Sequence, residues 1–95
     1  MVTSKARAEI LAEGLVQGVG FRYFIMTKAA GLGLKGFTKN LYSGEVFTVV
    51  EGEKDLIEVL FNKIRTGPSH AHVTKAHIKW EEYKKEFSHF EISYS

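Results

Sequence analysis

The sequence contains no cysteine, which removes disulfides, thiolate nucleophiles and cysteine-ligated zinc from consideration. It has one proline, Pro68, and no apolar run near the ~18–20 residues that a membrane span requires. The start, Met1-Val-Thr-Ser-Lys-Ala-Arg7, lacks the apolar stretch of a secretory leader. A soluble, cytoplasmic protein with no membrane partner is the expectation. Charge of one sign is also scarce. Thirteen Lys and Arg against 11 Asp and Glu leave a formal charge of +2, and the basic residues are interspersed. A dedicated nucleic-acid binder shows a clustered basic stripe instead, so no nucleic-acid partner is expected. The slight positive excess suits a small anion. His70, His72, His77 and His89 have no carboxylates at ligand spacing beside them, so neither a metal nor another cofactor is expected.

What is present is ordinary for a folded unit. Ninety-five residues, 44% hydrophobic and 25% charged, predict one domain over 1–95 with a single two-layer core. Ala6, Ala8, Ile10 and Ala12 alternate with Arg7, Glu9 and Glu13, the period of a strand with one covered face. Gly14, Gly18 and Gly20 then mark a loop. From about Arg22 the rhythm is helical through Phe21, Phe24, Ile25, Ala29 and Leu32, and Gly31 and Gly33 close it. Leu34–Leu41 and Glu45–Glu51 flank Tyr42-Ser43-Gly44 and read as a hairpin. In 54–65 the stripe Leu56, Val59, Leu60, Ile64 predicts a second helix, ended by Gly67-Pro68. Ala76, Ile78 and Trp80 alternate as a fourth strand, and Phe90, Ile92 and Tyr94 as a short last one. Trp80 and Phe24 fall at packing positions, Tyr23 at the surface, and Glu81–Lys85 in a solvated loop. The order predicts an α+β fold: a two-layer α/β sandwich, ferredoxin-like βαββαβ, with a mainly antiparallel sheet and two helices on one face.

The chemistry concentrates in Gly14-Leu-Val-Gln-Gly-Val-Gly-Phe-Arg22. Between a strand and a helix, such a loop can point successive N–H groups at one anion, and the helix adds its positive end. Arg22 offers a planar fork of donors that matches two phosphate oxygens, which lysine lacks. The plainer reading of these residues is a tight turn with Arg22 in solvent. The loop completes neither the dinucleotide fingerprint nor a Walker loop. In Gly36-Phe-Thr-Lys-Asn40, the asparagine is by itself either a turn former or an amide that orients a water.

Taken together, the two segments resemble the acylphosphatase family, which shows Gly-x-Val-Gln-Gly-Val-Gly-Phe-Arg followed by Gly-Trp-Val-Arg-Asn. The likeness extends through Leu32-Gly33-Leu34, Gly44-x-Val46, Glu51-Gly52, Gly67-Pro68 with Ala71 and Val73, and Phe90-x-Ile92, and so covers essentially the whole chain. The resemblance implies the same sandwich and the hydrolysis of a small-molecule acyl phosphate to a carboxylate and inorganic phosphate. It also implies a phosphate held at Val16, Gln17, Gly18, Val19, Gly20, Phe21 and Arg22, with Arg22 and Asn40 catalytic: Arg22 on the phosphoryl oxygens, Asn40 on the water. A monomer is expected. Phe37, Thr38 and Lys39 replace the family's Trp, Val and Arg and leave rate and substrate preference open. The alternative from another class is a non-catalytic ferredoxin-like module that binds RNA or an anion, with Phe47 and Val49 on its sheet face. The family's domain also begins the much longer hydrogenase-maturation carbamoyltransferases.

Overall fold

The computed structural model describes residues 4–94; the start read above for a leader lies in part outside them. The elements follow in the order β1 (Lys5–Leu15), α1 (Phe21–Gly31), β2 (Lys35–Asn40), β3 (Val46–Glu53), α2 (Lys54–Thr66), β4 (His72–Glu81) and β5 (Phe90–Ile92). The strands form one sheet in the order β4-β1-β3-β2-β5. β1 pairs antiparallel with β3 and β4, β2 antiparallel with β3, and β5 parallel with β2. The predicted ferredoxin-like fold is present, and the parallel β2–β5 pair makes the sheet mixed.

Alternation in β1 places Ala8, Ile10 and Ala12 against the helices, all at most 1% exposed. They lie opposite Val50, Thr48 and Val46 of β3. Phe21, Ile25 and Ala29 of α1 and Ile57, Leu60 and Ile64 of α2 close over this face and complete the core. Burying each large apolar side chain there contributes about 1.5–3 kcal/mol. Two expectations change. Val59 is exposed, and Ile57 takes its place on the buried stripe. Helical spacing alone admits both, because Leu56, Ile57, Val59, Leu60 and Phe61 wrap most of the helix and the sheet selects the side. Trp80 is 37% exposed on the edge strand β4, where the Lys54 ammonium lies 5.2 Å from its ring centroid.

One position breaks the family's pattern inside the core. Thr38 of β2 sits directly opposite Thr48 of β3. Their buried hydroxyls bond each other at 2.9 Å, which satisfies two polar groups that would otherwise cost stability.

The opposite sheet face differs more from expectation. Glu51 is 2% exposed and Arg7 9%. The Arg7 guanidinium bonds Glu51 at 3.3 Å, Glu81 at 3.3 Å and Glu86 at 2.7 Å. The amides of Lys84 and Glu86 each donate to the Glu51 carboxylate at 2.8 Å. Lys85 between them has φ 51, and this left-handed residue turns both amides toward one anion, the geometry of a nest. The 82–87 segment keeps the side chains of Glu82, Lys84, Lys85 and Glu86 in solvent, as expected of a solvated loop, but its backbone is tied down as a strap. Phe87 continues it, 5.9 Å from the Phe37 ring and under the Arg7 guanidinium at 5.1 Å.

Burial pushes the Glu51 carboxyl up, but the two amides and Arg7 outweigh it and hold the group below the usual carboxylate range. A lowered folded-state pKa contributes stability above about pH 4.3, the value of an unperturbed Glu, and loses it as pH falls through the folded value. Glu51→Gln removes this contribution at neutral pH. Urea unfolding at pH 7 should show a loss of about 1–3 kcal/mol. The gap between variant and native protein should narrow as pH falls below about 4. A gap constant from pH 7 to pH 3 would show that the carboxylate's charge is not what the strap holds.

Candidate active site

The loop that joins β1 to α1 is shaped at both ends by the core. Near its start the β1–β4 register shifts between Glu13 and Gly14. Gly14 has φ 125, and a Cβ there would lie 2.1 Å from the His72 carbonyl oxygen, so only glycine permits this close approach. Val16 and Phe21, each 1% exposed, anchor the two ends of the loop in the core. Their side chains are therefore packing residues, and only their backbone is available to a ligand. Val19 is half-buried against the same core.

Gly18 and Gly20 are both left-handed, with φ 75 and φ 76. Gly20 is the N-cap of α1, and no side chain caps the helix. The first helical bond is Phe24 N–H to the Gly20 carbonyl at 3.0 Å, which leaves the amides of the first turn without helical acceptors. An acid in this turn would be favourable, yet none is present and Arg22 stands there instead. Among the described residues no carboxylate pairs with Arg22; its guanidinium carbon lies 5.1 Å from the Tyr94 ring centroid. Main-chain donors, a helix end and a cation with no counter-charge thus converge, the combination that binds phosphate and carboxylate.

Asn40 ends β2, opposite Val46. Its side chain is half-buried, and its Oδ1 is fully buried with no hydrogen-bond partner among the described residues. An unmet buried acceptor costs about 1–3 kcal/mol. Such a group in a folded protein goes with strain, a catalytic role or an ordered water. Gln17 links this strand end to the glycine loop, its amide donating to the Leu41 carbonyl at 2.8 Å and the Glu45 carbonyl at 2.9 Å. Both of its protons are used in that strut, so what Gln17 can offer a ligand is its backbone N–H.

Two clefts lie here. One, about 240 Å³, runs along Gly18, Gly20, Arg22 and Tyr23. The other, about 460 Å³, is lined by Gln17, Lys39, Asn40 and Tyr42. Tyr94 lines both. The structure thus brings Arg22 and Asn40 to neighbouring clefts at one end of the sheet. It adds one residue the sequence had not marked, Tyr94 between the two, and sets Lys39, read only as a departure from the family's Arg, beside Asn40. Tyr94 had been read only as the last position of an alternating strand. A groove of about 530 Å³ between the helices, with Phe24 and Val59 in its wall, shares no lining residue with either cleft.

A family model described as Acylphosphatase matches residues 8–92. The chain belongs to the acylphosphatase family. An acylphosphatase from Moorella thermoacetica is 42% identical over 83 residues, covering 87% of this chain and 89% of its own. Another, from Aeropyrum pernix, is 45% identical, covering 96% of this chain and 91% of its own. The crystal structure of acylphosphatase from Bacillus subtilis superposes with a TM-score of 0.90 at 29% identity, covering 94% of this chain and 99% of that one.

The Gln17 strut can be tested without substrate. Gln17→Leu removes two hydrogen bonds and should cost about 1–3 kcal/mol in urea unfolding. Amide exchange should rise in the 41–45 turn and stay unchanged in α2. Gln17→Glu, similar in shape, should be worse, because it sets carboxylate oxygens against two carbonyls. Equal stability of Gln17→Leu and the native protein would show that the loop and turn are held together by other means.

Proposed function

We propose that this chain hydrolyses acyl phosphates, carboxyl-phosphate mixed anhydrides, to a carboxylate and inorganic phosphate. The observation that carries the reading is the pairing of two unsatisfied groups of opposite kind at one end of the sheet. One is the cationic, uncapped start of α1 with Arg22. The other is the buried, unpartnered Oδ1 of Asn40. The first suits the phosphoryl oxygens, the second a water.

In this reading the amides of residues 17–22 and the Arg22 fork hold the phosphoryl group. The Asn40 amide, in the wall of the larger cleft, holds the water by hydrogen bonding and turns one of its lone pairs toward phosphorus. The water oxygen bonds to phosphorus as the bond from phosphorus to the acyl oxygen breaks, and the carboxylate leaves with the electron pair. The water's proton goes to solvent or to the product phosphate. Phosphoryl transfer needs mainly positioning and stabilisation of dispersed negative charge, which amides and Arg22 supply. A carboxylate leaves without being protonated, so an amide side chain, which is not a base, is sufficient at the water.

The relatives support the reading by name, and their lengths accord with a one-domain enzyme. We extend the reading to a monomer in the cytoplasm; among the described residues no helix is long and apolar enough to cross a membrane. The binding-module alternative draws no support from the sheet face. Phe37 and Phe47 meet edge to face, 6.3 Å apart, and Phe87 of the strap stands against Phe37. Each is half-buried in these contacts, not splayed on an open face as a base-stacking platform would be.

The test is release of phosphate from benzoyl phosphate in the presence of EDTA, with native protein and Asn40→Ala. Native protein should turn over with chelator present. The Asn40→Ala substitution should lower kcat by on the order of 10²-fold, the cost of a misplaced reactant. Competitive inhibition by inorganic phosphate should survive. Loss of phosphate inhibition with kcat unchanged would reverse the roles given to Asn40 and the loop.

A further inference from the structure

We infer that Tyr23 selects the acyl group: its ring is the surface against which the acyl part of the substrate lies, and it favours a flat, apolar acyl group over a short one. The inference rests on the function proposed above and names the substrate class that its site prefers.

Tyr23 faces out because of where α1 buries its stripe. Phe21, Ile25 and Ala29 lie in the core, and two positions beyond Phe21 is about 200° around the helix, the opposite face. Tyr23 is 65% exposed there. Of the large apolar side chains exposed among the described residues, the three with the most exposure are Tyr42, Tyr94 and Tyr23. All three line the clefts of Arg22 and Asn40. Exposed apolar surface gathered in one place marks a binding surface, whereas single scattered residues need no explanation. Beside Arg22, the smaller cleft is walled by Tyr23, Ile92 and Tyr94, which offer contact area to an apolar acyl group.

The course of the reaction separates Tyr23 from Tyr42. In phosphoryl transfer the attacking and leaving oxygens lie roughly in line through phosphorus. A water held at Asn40 therefore sends the acyl group out on the side away from Asn40. Tyr42 shares the larger cleft with Asn40, and Tyr23 shares the smaller one with Arg22. Tyr23 thus flanks the leaving side. An aromatic ring stacked offset on another contributes beyond its buried area, and the methyl of acetyl phosphate cannot make that contact. A contact kept from bound substrate through the transition state lowers KM and leaves kcat in place.

The experiment measures kcat and KM for benzoyl phosphate and acetyl phosphate in native protein, Tyr23→Ala, Tyr23→Phe and Tyr42→Ala. Native protein should favour benzoyl phosphate in kcat/KM. Tyr23→Ala should shrink that preference about two- to twelvefold, the worth of an aromatic pair, chiefly through KM for benzoyl phosphate. Inhibition by inorganic phosphate, which has no acyl group, should stay near native. Tyr23→Phe, which keeps the ring, should keep the preference, and so should Tyr42→Ala. An equal loss for both substrates in Tyr23→Ala would overturn the inference, because a merely structural residue behaves so. A preference carried by Tyr42, or a Tyr23→Phe variant as impaired as Tyr23→Ala, would do the same. Calorimetry with phenacylphosphonate and acetonylphosphonate, in which a methylene replaces the bridging oxygen, gives a readout that needs no turnover. Native protein should bind the phenacyl compound more tightly, and Tyr23→Ala should narrow the difference. If that difference appears while neither acyl phosphate is hydrolysed, the function proposed above fails and the role of Tyr23 stands. With no such difference the inference fails, whether or not the protein hydrolyses acyl phosphates.

Discussion

The start of α1 is electrostatically wrong for a helix considered alone. Gly20, its N-cap, has no side chain to bond the free amides, no acid lies in its first turn, and Arg22 adds positive charge to the positive end of the dipole. The arrangement persists because the surrounding structure leaves the helix no other start. Val16 and Phe21 are locked in the core on either side of the loop. The Gly14 bulge sets where β1 releases the chain, and Gln17 ties the loop to the β2–β3 turn. A locally unfavourable terminus held by global packing is characteristic of a functional site. Here the missing element is negative charge.

The same chemistry occurs twice in the fold, in complementary forms. On the strap side, two main-chain amides and an arginine surround an anion that the protein itself provides, the Glu51 carboxylate. That anion is so well served that its pKa falls despite burial. At the α1 start, loop amides and Arg22 are brought together, and no carboxylate of the described residues answers them. The first arrangement closes the sheet face over Phe37 and Phe87. The second faces solvent. One set of donors thus makes a structural joint where the anion is internal and, in the function proposed, a binding site where the anion comes from outside.

What was readable in the sequence was local. The alternation of Ala6 to Ala12 located the buried face of β1, and the glycine loop with Arg22 lies within nine consecutive residues. Asn40 was legible as a motif member, but its orphaned oxygen was not, since it depends on what surrounds the end of β2. Arg7 was read onto the uncovered face of β1 because alternation reports which face a side chain takes, not what later covers that face. The covering segment comes 33 and 35 residues after Glu51. Tyr94's place between the two clefts escaped for the same reason: it depends on β5 pairing parallel with β2, a long-range register that no local period encodes. Ile57 against Val59 was undecidable from spacing, because the helix is apolar over more than one face and the sheet makes the choice.

The central claim is that the α1 start and Arg22 form a site for a phosphoryl group, and phosphate-dependent stability tests it most directly. A ligand that binds only the native state at ten times its dissociation constant adds about 1.4 kcal/mol. For a domain of this size that is a melting shift on the order of 6–11 °C. Phosphate also stabilises proteins generally by exclusion from their surfaces, so the comparison is with Arg22→Gln across the same titration at constant ionic strength. A saturable rise in the native protein, with only a small linear rise in Arg22→Gln, is the predicted result. Identical curves for the two proteins would mean that the loop is a turn and that Arg22 holds no anion there.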